Sequence, residues 1–505
     1  MFTINPDNDT LAAVDADTLA VQYEVPVCDD PHSIALAGAN LWIACHGDDG
    51  IDVRTAASGA LVEHLDTGYG SAPSHIAATP GGDNVYVSLH GPGVLRRYDA
   101  STRGATGSLT LGQTAGALAI NGDGSLVYVA RQISAENDAE IWEVNTAGGM
   151  SLQRTLRVRR FGGDENADGT GSGRGVANNL RSLAIARDGQ SLWFAANKAN
   201  TERGLSFSDD LDEDNTVRNV LVGVNLADGS LLRQVDIDNS DSASAVALSP
   251  FGDDLLVALQ GNNEVAVFDA LNVANAAGSG GMTTRLSAGL APQGVCTDPT
   301  TGRSFVKNLM GRSLSVLETA ELFDAGDISV SGSTVPTVGI EVMAANVLAG
   351  KRIFYNASDP RMSAEGYLSC ATCHLDGGSD ERVWDFTDRG EGLRNTIALR
   401  GRAGLGDGPV HWSANFDEIQ DFENDIRGPF QGAGLMDDAD FFAGTRSHPL
   451  GDAKAGISPD LDALAAYVTS LVSEPRSPHR NADGTLTAQA IRGKAIFESP
   501  ETRCL

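Results

Sequence analysis

Two cysteines and a histidine stand close together in the C-terminal third of the chain, at Cys370, Cys373 and His374. In the order C-x-x-C-H, the two thiols add across the vinyl groups of haem, and the adjacent imidazole binds its iron. The alternatives are half of a zinc site or a redox-active pair of thiols. Zinc needs a second Cys/His pair nearby, and none follows within roughly forty residues. The motif therefore predicts a covalently attached haem c.

The chemistry of such a haem depends on the face of the iron opposite His374. An open position lets peroxide bind, whereas a strong second ligand makes an electron carrier. His411, His448, Met362 and Met436 are the candidate second ligands, and His411 is the strongest of them. Beside His374, we take His411 and Met436 as the predicted metal ligands.

Composition restricts the partners of the chain. The 505 residues carry a net charge of -31 and are 41% hydrophobic, which is enough to bury substantial cores. Strong negative charge argues against nucleic acid and anionic membranes as partners. It fits either a basic electron-carrier protein or simply a solubilising surface. No apolar run reaches the ~18 residues of a membrane span.

The remaining cysteines and the haem motif bear on the cellular compartment of the protein. Cys28 and Cys45 either pair or remain buried thiols. Bacteria attach haem to C-x-x-C-H outside the cytoplasm, so we predict a periplasmic, extracellular or cell-surface protein. The first residues, MFTINPDNDT, have no basic region followed by an apolar run. We therefore expect the natural chain to begin upstream.

A repeated unit fills the first two thirds of the chain. Alternating apolar residues, a Gly/Asp-rich turn and a second apolar run recur at intervals of roughly forty to sixty-five residues. Two examples are SHIAATPGGDNVYVSL (74–89) and ALAINGDGSLVYVA (117–130). This pattern predicts antiparallel strands in a propeller of seven blades, with six or eight as alternatives. The strand in DTLAAVDADTL (9–19) has no earlier partner in this reading, so we expect 328–345 or upstream residues to complete its blade.

These units resemble YVTN-type β-propeller repeats over about residues 1–325, a resemblance that implies a fold and says little about activity. One acidic insertion begins like a calcium loop, with Asp164, Asn166, Asp168 and Gly169. Its twelfth position is Gly175 rather than Glu, so Ca²⁺ is a weak prediction and a solvated turn is the stronger one.

The pattern becomes helical from about residue 340. VMAANVLAGKRIFYN and LDALAAYVTSLV (461–472) have helical spacing of apolar residues. An aromatic-rich stretch between them contains Trp384, Trp412 and several Phe residues. It would suit either a haem cavity or a small helical core.

This region resembles the di-haem cytochrome c peroxidase and MauG family over about residues 345–505. The resemblance rests on LAGKRIF (348–354), LSCATCH (368–374), RNTIAL (394–399) and His411-Trp412. It implies a peroxide-linked oxidoreductase with acid/base groups shortly after the tryptophan loop. The usual W-D-G-R-A run is absent. The catalytic residues implied by this resemblance are Trp412, Arg394, Glu418, Gln420 and Glu423.

The family carries two haems. RGKAIF (492–497) repeats the GKRIF heading, and Cys504 stands where the second attachment motif would begin. We therefore expect a second haem domain that is cut short in this sequence, with Cys504 as its first cysteine.

The predicted architecture is an all-β seven-bladed propeller (1–335) followed by a mainly α, c-type cytochrome domain (336–490) and the start of a second haem domain (491–505). The predicted function is peroxide-linked redox chemistry with hydrogen peroxide or another small oxidant and an electron-donor or acceptor protein. The alternatives are a purely electron-transferring cytochrome and a surface-binding propeller with an auxiliary haem.

Overall fold

The computed structural model describes residues 1–161, 174–201, 213–270, 281–387 and 391–502. Within them, seven antiparallel sheets follow one another along the chain as the blades of a propeller. The strands of the seven blades are, in order: blade 1, Phe2–Asn5, Thr10–Val14, Val21–Pro26; blade 2, Pro31–Ala37, Asn40–Cys45, Gly50–Thr55, Leu61–Asp66; blade 3, Pro73–Ala78, Asn84–Leu89, Val94–Asp99, Ala105–Thr110; blade 4, Ala115–Ile120, Leu126–Arg131, Asp138–Asn145, Ser151–Arg159; blade 5, Val176–Asn178, Ala184–Ile185, Ser191–Ala199, Val217–Asn225, Leu231–Ile237; blade 6, Ala243–Leu248, Asp254–Leu259, Glu264–Asp269, Met282–Ser287; blade 7, Pro292–Thr297, Ser304–Asn308, Ser313–Leu317, Gly332–Pro336.

The blades form because strands with apolar residues on both faces pack between neighbouring sheets. In Asn40–Cys45 every residue after Asn40 is buried, and Trp42 is completely inaccessible to solvent. The outermost strand of the same blade, Leu61–Asp66, is largely exposed. Burial of both faces of the middle strands removes apolar surface from water and is the main stabilising contribution to a propeller.

Blade 1 differs from the prediction. Phe2–Asn5 pairs with Thr10–Val14, so that strand does have an earlier partner. A 3₁₀ turn ending in a left-handed Asp9 joins the two strands, just as a 3₁₀ turn ending in Asn263 joins the second and third strands of blade 6. Gly332–Pro336 is the outer strand of blade 7 and does not pair with blade 1. The chain after it contacts blade 1 through side-chain hydrogen bonds, including Asn5 with Thr337.

The C-terminal region packs on one end of the propeller and is less helical than predicted. Short helices and one hairpin, Val383–Phe386 with Gly392–Asn395, are separated by long loops. The α-helices of the described chain are α1 (Glu213–Thr216), α2 (Ala320–Ala325), α3 (Ala345–Phe354), α4 (Cys370–Cys373), α5 (Glu423–Arg427), α6 (Asp438–Phe441), α7 (Pro459–Ser470) and α8 (Ala488–Phe497).

Helices α3 and α7 form the framework of this region. They approach so closely that a Cβ atom on Gly350 would lie 1.8 Å from the carbonyl oxygen of Ala463. Phe354 of α3 and Tyr467 of α7 pack edge to face, with ring centroids 5.0 Å apart. Their apolar core continues onto Leu309 and Met310 of blade 7. In contrast, α8 buries none of its residues. Its GKAIF sequence resembles that of α3, but within the described chain it does not pack against another helix as α3 does.

No helix in the described part of the chain has the length and apolar character needed to cross a membrane.

Candidate functional site

The C-x-x-C-H motif forms the short helix α4, and the propeller holds its first turn. The carboxylate of Asp241, in the loop before blade 6, accepts hydrogen bonds from Ser369 Oγ (2.6 Å) and Thr372 Oγ1 (2.8 Å). Asn197 of blade 5 donates to the carbonyl oxygen of Thr372 at 3.4 Å. A carboxylate at this end also complements the partial positive charge of the first turn of a helix.

A second group of contacts fixes the chain after the motif. The backbone nitrogen of Asp380 donates to the carbonyl oxygen of Cys373 at 3.0 Å, and Asn178 of blade 5 donates to the carbonyl oxygen of Asp380 at 3.0 Å. The buried Arg382 side chain donates to the carbonyl oxygens of Ser134 and Ala135. The motif is therefore held by the propeller on both sides.

Cys370, Cys373 and His374 line a cavity of about 240 Å³. Most of its wall is apolar, with the aromatic side chains of Phe354, Trp384, Phe386, Trp412, Phe422 and Phe430. Such a lining excludes water and lowers the local dielectric constant. The predicted aromatic wall is therefore present around the motif, although Phe441 and Phe442 pack against each other elsewhere.

The three side chains of the motif are in the protonation states expected of buried groups. Burial raises the pKa of Cys370 to about 12 and raises that of Cys373 as well, so both remain thiols at neutral pH. Burial lowers the pKa of His374 to about 4, which keeps its imidazole neutral. His374 Nδ1 lies 3.4 Å from the carbonyl oxygen of Gly378, to which it donates, and Nε2 is then the nitrogen available to a metal.

His411 is the candidate second ligand that lies in the same cavity wall. Its Nδ1 donates to Asn415 Oδ1 at 2.9 Å, and its Nε2 lies 3.7 Å from Asp425 Oδ2. Its ring packs on Phe416 with centroids 4.2 Å apart. Met362, Met436 and His448 are not among the residues that line the cavity. The first two are buried in the core of the region, whereas His448 is exposed.

The predicted acid/base residues Glu418, Gln420 and Glu423 are also not among the cavity-lining residues. Each makes hydrogen bonds that brace the surrounding loops. Glu418 accepts from the backbone nitrogens of Lys454 and Ala455. Gln420 donates to Asp462 at 2.8 Å.

Glu423 is completely buried and is the most heavily hydrogen-bonded of the three. It accepts from Arg427 at 2.7 Å and from the backbone nitrogens of Leu435 and Met436 at 2.9 and 3.1 Å. These contacts occupy both carboxylate oxygens, so a structural role accounts for Glu423 as it stands.

Trp412 and Arg394, the other predicted catalytic residues, do line the cavity. Trp412 is 59% exposed and donates from Nε1 to the carbonyl oxygen of Asn395 at 2.7 Å. Arg394 donates from one terminal nitrogen to the carbonyl oxygen of Leu393, but its buried Nε atom has no hydrogen-bond partner. This nitrogen is a charged donor without an acceptor at the cavity wall.

Three polar residues that the sequence did not single out belong to this site. Asp425 and Glu391 line the cavity, and Asp241 holds the motif from the propeller. The sequence did contain one indication of Asp425. It follows Glu423 by two residues on a helical segment, so the two carboxylates lie on different sides of that helix. Two predicted features, Cys504 and the possible calcium ligands Asp164 to Gly169, lie outside the described residues.

Cys28 and Cys45 form a disulfide, which decides between the two alternatives for these residues. It joins the segment before the first hairpin of blade 2 to the last residue of that hairpin's second strand, Asn40–Cys45.

Comparison with known proteins finds a curated protein that is similar to part of the chain. No protein-family model matches the chain. Over 165 residues the chain is 30% identical to hydrazine synthase subunit gamma of Kuenenia stuttgartiensis, an alignment covering 30% of this chain and 40% of that protein. The chain thus spans about 40% of the length of the relative it matches.

Among solved structures, a chain of Kuenenia stuttgartiensis hydrazine synthase superimposes with a TM-score of 0.53 at 17% identity, over 63% of this chain and 95% of that chain. This similarity supports a seven-bladed β-propeller fold for the first two thirds of this chain. A chain of the mitotic checkpoint complex is similar at a TM-score of 0.45 and 14% identity, over 62% of this chain and 81% of that chain.

Proposed function

We propose that this protein is an extracytoplasmic oxidoreductase that attaches haem c through Cys370 and Cys373, binds its iron through His374 and carries out peroxide-linked redox chemistry. The single observation that carries the proposal is the presence of C-x-x-C-H, with both thiols and the imidazole, in the wall of one aromatic-lined cavity. The similarity to a subunit of hydrazine synthase supports a redox role and an assembly with other protein subunits.

The residues that line the cavity fit a covalently attached haem c. The two free thiols and the neutral imidazole are the donor set that haem c needs. The unpartnered Nε atom of Arg394 would find its missing acceptor in a carboxylate of the porphyrin. When bound, haem c supplies an iron that exchanges single electrons and, where one axial position is open, reacts with peroxide.

The chain itself would orient the ligand and manage protons. The hydrogen bond from His374 Nδ1 to Gly378 sets which ring nitrogen binds metal and fixes the plane of the ring. His411 and Asp425 also line the cavity, with His411 Nε2 3.7 Å from Asp425 Oδ2, and together they offer an imidazole and a carboxylate for proton transfer. We therefore favour this pair over Glu418, Gln420 and Glu423 as the acid/base group. Trp412, partly exposed at the cavity wall, would carry electrons to or from a partner protein.

A second candidate function, pure electron transfer, is favoured by one specific observation. His411 lines the same cavity as His374, so its imidazole would be a second residue able to hold the iron of a bound haem. In that case the iron would have no open position for peroxide.

The proposed haem attachment and one structural feature support a location outside the cytoplasm. Haem attachment of this type takes place outside the bacterial cytoplasm, and the disulfide between Cys28 and Cys45 is typical of an oxidising environment. We propose a periplasmic or cell-surface location.

The two candidate functions are separated by adding hydrogen peroxide and cyanide to the full-length, haem-loaded protein. A peroxidase predicts spectral changes with both ligands and oxidation of electron donors. His411→Ala should then slow the reaction with peroxide by about 10²- to 10⁴-fold, the usual contribution of an acid/base group. An electron carrier predicts no response until His411→Ala opens the iron. His448→Ala, at an exposed histidine away from the cavity, is the matched control. The peroxidase proposal fails if the wild-type protein ignores both reagents.

A further inference from the structure

A cluster of titratable side chains lies at the end of the propeller that faces the C-terminal region, and none of its three residues is among those that line the cavity of the C-x-x-C-H motif. Asp30, His32 and His46 each offer one ligand atom, and these atoms lie within 4.8 Å of one another. Asp30 Oδ2 is 3.2 Å from His32 Nε2, and the rings of His32 and His46 are stacked with centroids 4.1 Å apart. Two imidazoles and one carboxylate are a common ligand set for Zn²⁺ and other first-row transition metals.

The fold brings these residues together for a simple topological reason. The first two strands of blade 2 are antiparallel, with Pro31 opposite Cys45, so Asp30 and His32 meet His46 at one end of the hairpin. The backbone nitrogen of His46 donates to the carbonyl oxygen of Asp30 at 3.0 Å. The disulfide between Cys28 and Cys45 joins the same two segments next to the cluster. The ligand-bearing backbone is therefore fixed in place, which is what a metal site requires.

His46 provides a second, independent indication of a ligand. Its Nδ1 atom is buried and has no hydrogen-bond partner. A buried polar atom without a partner costs about 1–3 kcal/mol, so it calls for an explanation. Burial also lowers the pKa of His46 well below its ordinary value, which leaves the ring neutral and able to bind a cation.

Charge and access also fit a cation. The backbone nitrogen of Asp30 donates to the Asp9 carboxylate, and that of Asp29 donates to Asp48, so further acidic groups surround the cluster. Arg400 of the C-terminal region is a nearby positive charge that acts against cation binding. The side chains of His32 and Asp30 are 24% and 35% exposed, so an ion can reach them from solvent.

We propose that Asp30, His32 and His46 bind one divalent first-row transition-metal ion, with a fourth position left for water. The ring of His90, which stands at the equivalent position in blade 3, is 6.4 Å from that of His46 and is a further imidazole near the cluster. In a tetrahedral zinc site the ligand atoms are about 3.3 Å apart, from bonds of about 2.0–2.1 Å. The ligand atoms must therefore move closer together, and because a metal binds in the plane of an imidazole, one of the two stacked rings must also turn about its side-chain bonds.

The test uses the full chain and Zn²⁺ as the probe. Thiols of the haem motif also bind zinc, so titrations are made with a Cys370→Ser, Cys373→Ser chain and repeated with the haem-loaded protein. The Cys370→Ser, Cys373→Ser chain cannot attach haem, so its zinc titration does not depend on the proposed function. A tenfold or larger excess of Mg²⁺ suppresses loose binding to surface carboxylates. The expected result is one Zn²⁺ per chain, bound with the same affinity in both forms.

Ligand variants decide where that zinc is bound. His32→Gln and His46→Gln should each weaken Zn²⁺ binding at least about tenfold. His64→Gln is the matched control, because His64 also pairs with an aspartate, Asp52 at 2.8 Å, but lies outside the cluster. Zinc K-edge absorption should show two imidazole ligands in the unmodified cluster and one in His46→Gln. The proposal is overturned if no stoichiometric site is found, or if both ligand variants bind Zn²⁺ as His64→Gln does.

Discussion

The close contact between α3 and α7 can be tested at a single glycine. In Gly350→Ala the new methyl carbon would lie 1.8 Å from the carbonyl oxygen of Ala463 and 2.4 Å from its carbonyl carbon. Ordinary contact begins near 3.4 Å, and both obstructing atoms are backbone, so the two helices must separate by more than an ångström. Overpacking of this kind costs about 1–3 kcal/mol, and we expect the upper end because no side chain can rotate away.

Alanine also favours a helix over glycine by about 1 kcal/mol, which offsets part of this cost. The net expectation is a loss of about 2 kcal/mol in the free energy of unfolding of the C-terminal region. For a unit of about 150–250 residues this lowers the transition temperature by about 4–8 °C. Differential scanning calorimetry of the full chain measures the shift. Hydrogen exchange of α3 and α7 amides identifies which transition belongs to this region.

Gly493→Ala is the matched control, because the same G-K-x-I-F heading places Gly493 in α8, where a Cβ atom would meet no other atom within 4 Å. It should leave the transition unchanged while raising the helicity of α8. If Gly350→Ala unfolds at the wild-type temperature, α3 and α7 are not as close at Gly350 as described above. If both variants are destabilised equally, the effect does not come from packing.

Three further predictions concern a contact between the two regions, the propeller and the C-terminal region, in that order. Burial raises the pKa of Asp241 to about 6 from 3.8, so the folded state holds an extra proton between these values and stability falls as pH rises through this window, by up to about 3 kcal/mol. Asp241→Asn should remove that pH dependence in urea unfolding curves recorded across it. Replacing both Cys28 and Cys45 by serine opens a loop with a sequence separation of 17 and should cost about 3 kcal/mol, measured by denaturant unfolding of the propeller. Lys454→Met leaves the buried Asp421 carboxylate, 2.5 Å from Lys454 Nζ, without its cation and should cost about 3–5 kcal/mol, most of which Asp421→Asn should restore in the same chain.

Most of the propeller could be predicted from the sequence because its pattern is local. Alternating apolar residues and Gly/Asp-rich turns mark each pair of strands, and a regular recurrence marks the blades. The first strand, Phe2–Asn5, escapes this pattern because four residues give little alternation to detect. The fourth strand of blade 7 could not be assigned to its blade, because a single strand carries no local signal for which of two adjacent sheets it joins.

The site could be predicted only where its residues are close in sequence. The C-x-x-C-H motif and the aromatic stretch identify the cavity correctly as one neighbourhood. The number of residues after Trp412 does not show which side of a helix faces the cavity. On α5, Glu423 accepts a hydrogen bond from Leu435 in a loop, whereas Asp425 lines the cavity. Asp241 is held against α4 across more than a hundred residues, which no local pattern reports.

The central claim is covalent attachment of haem at Cys370 and Cys373. It is tested most directly by producing the full chain with a c-type haem maturation system and measuring its intact mass and its haem-peptide map. We predict a haem that survives denaturation and maps to the peptide containing Cys370, Cys373 and His374. That haem should be lost in the Cys370→Ser, Cys373→Ser chain. A folded wild-type protein that carries no covalent haem on that peptide under these conditions would contradict the claim.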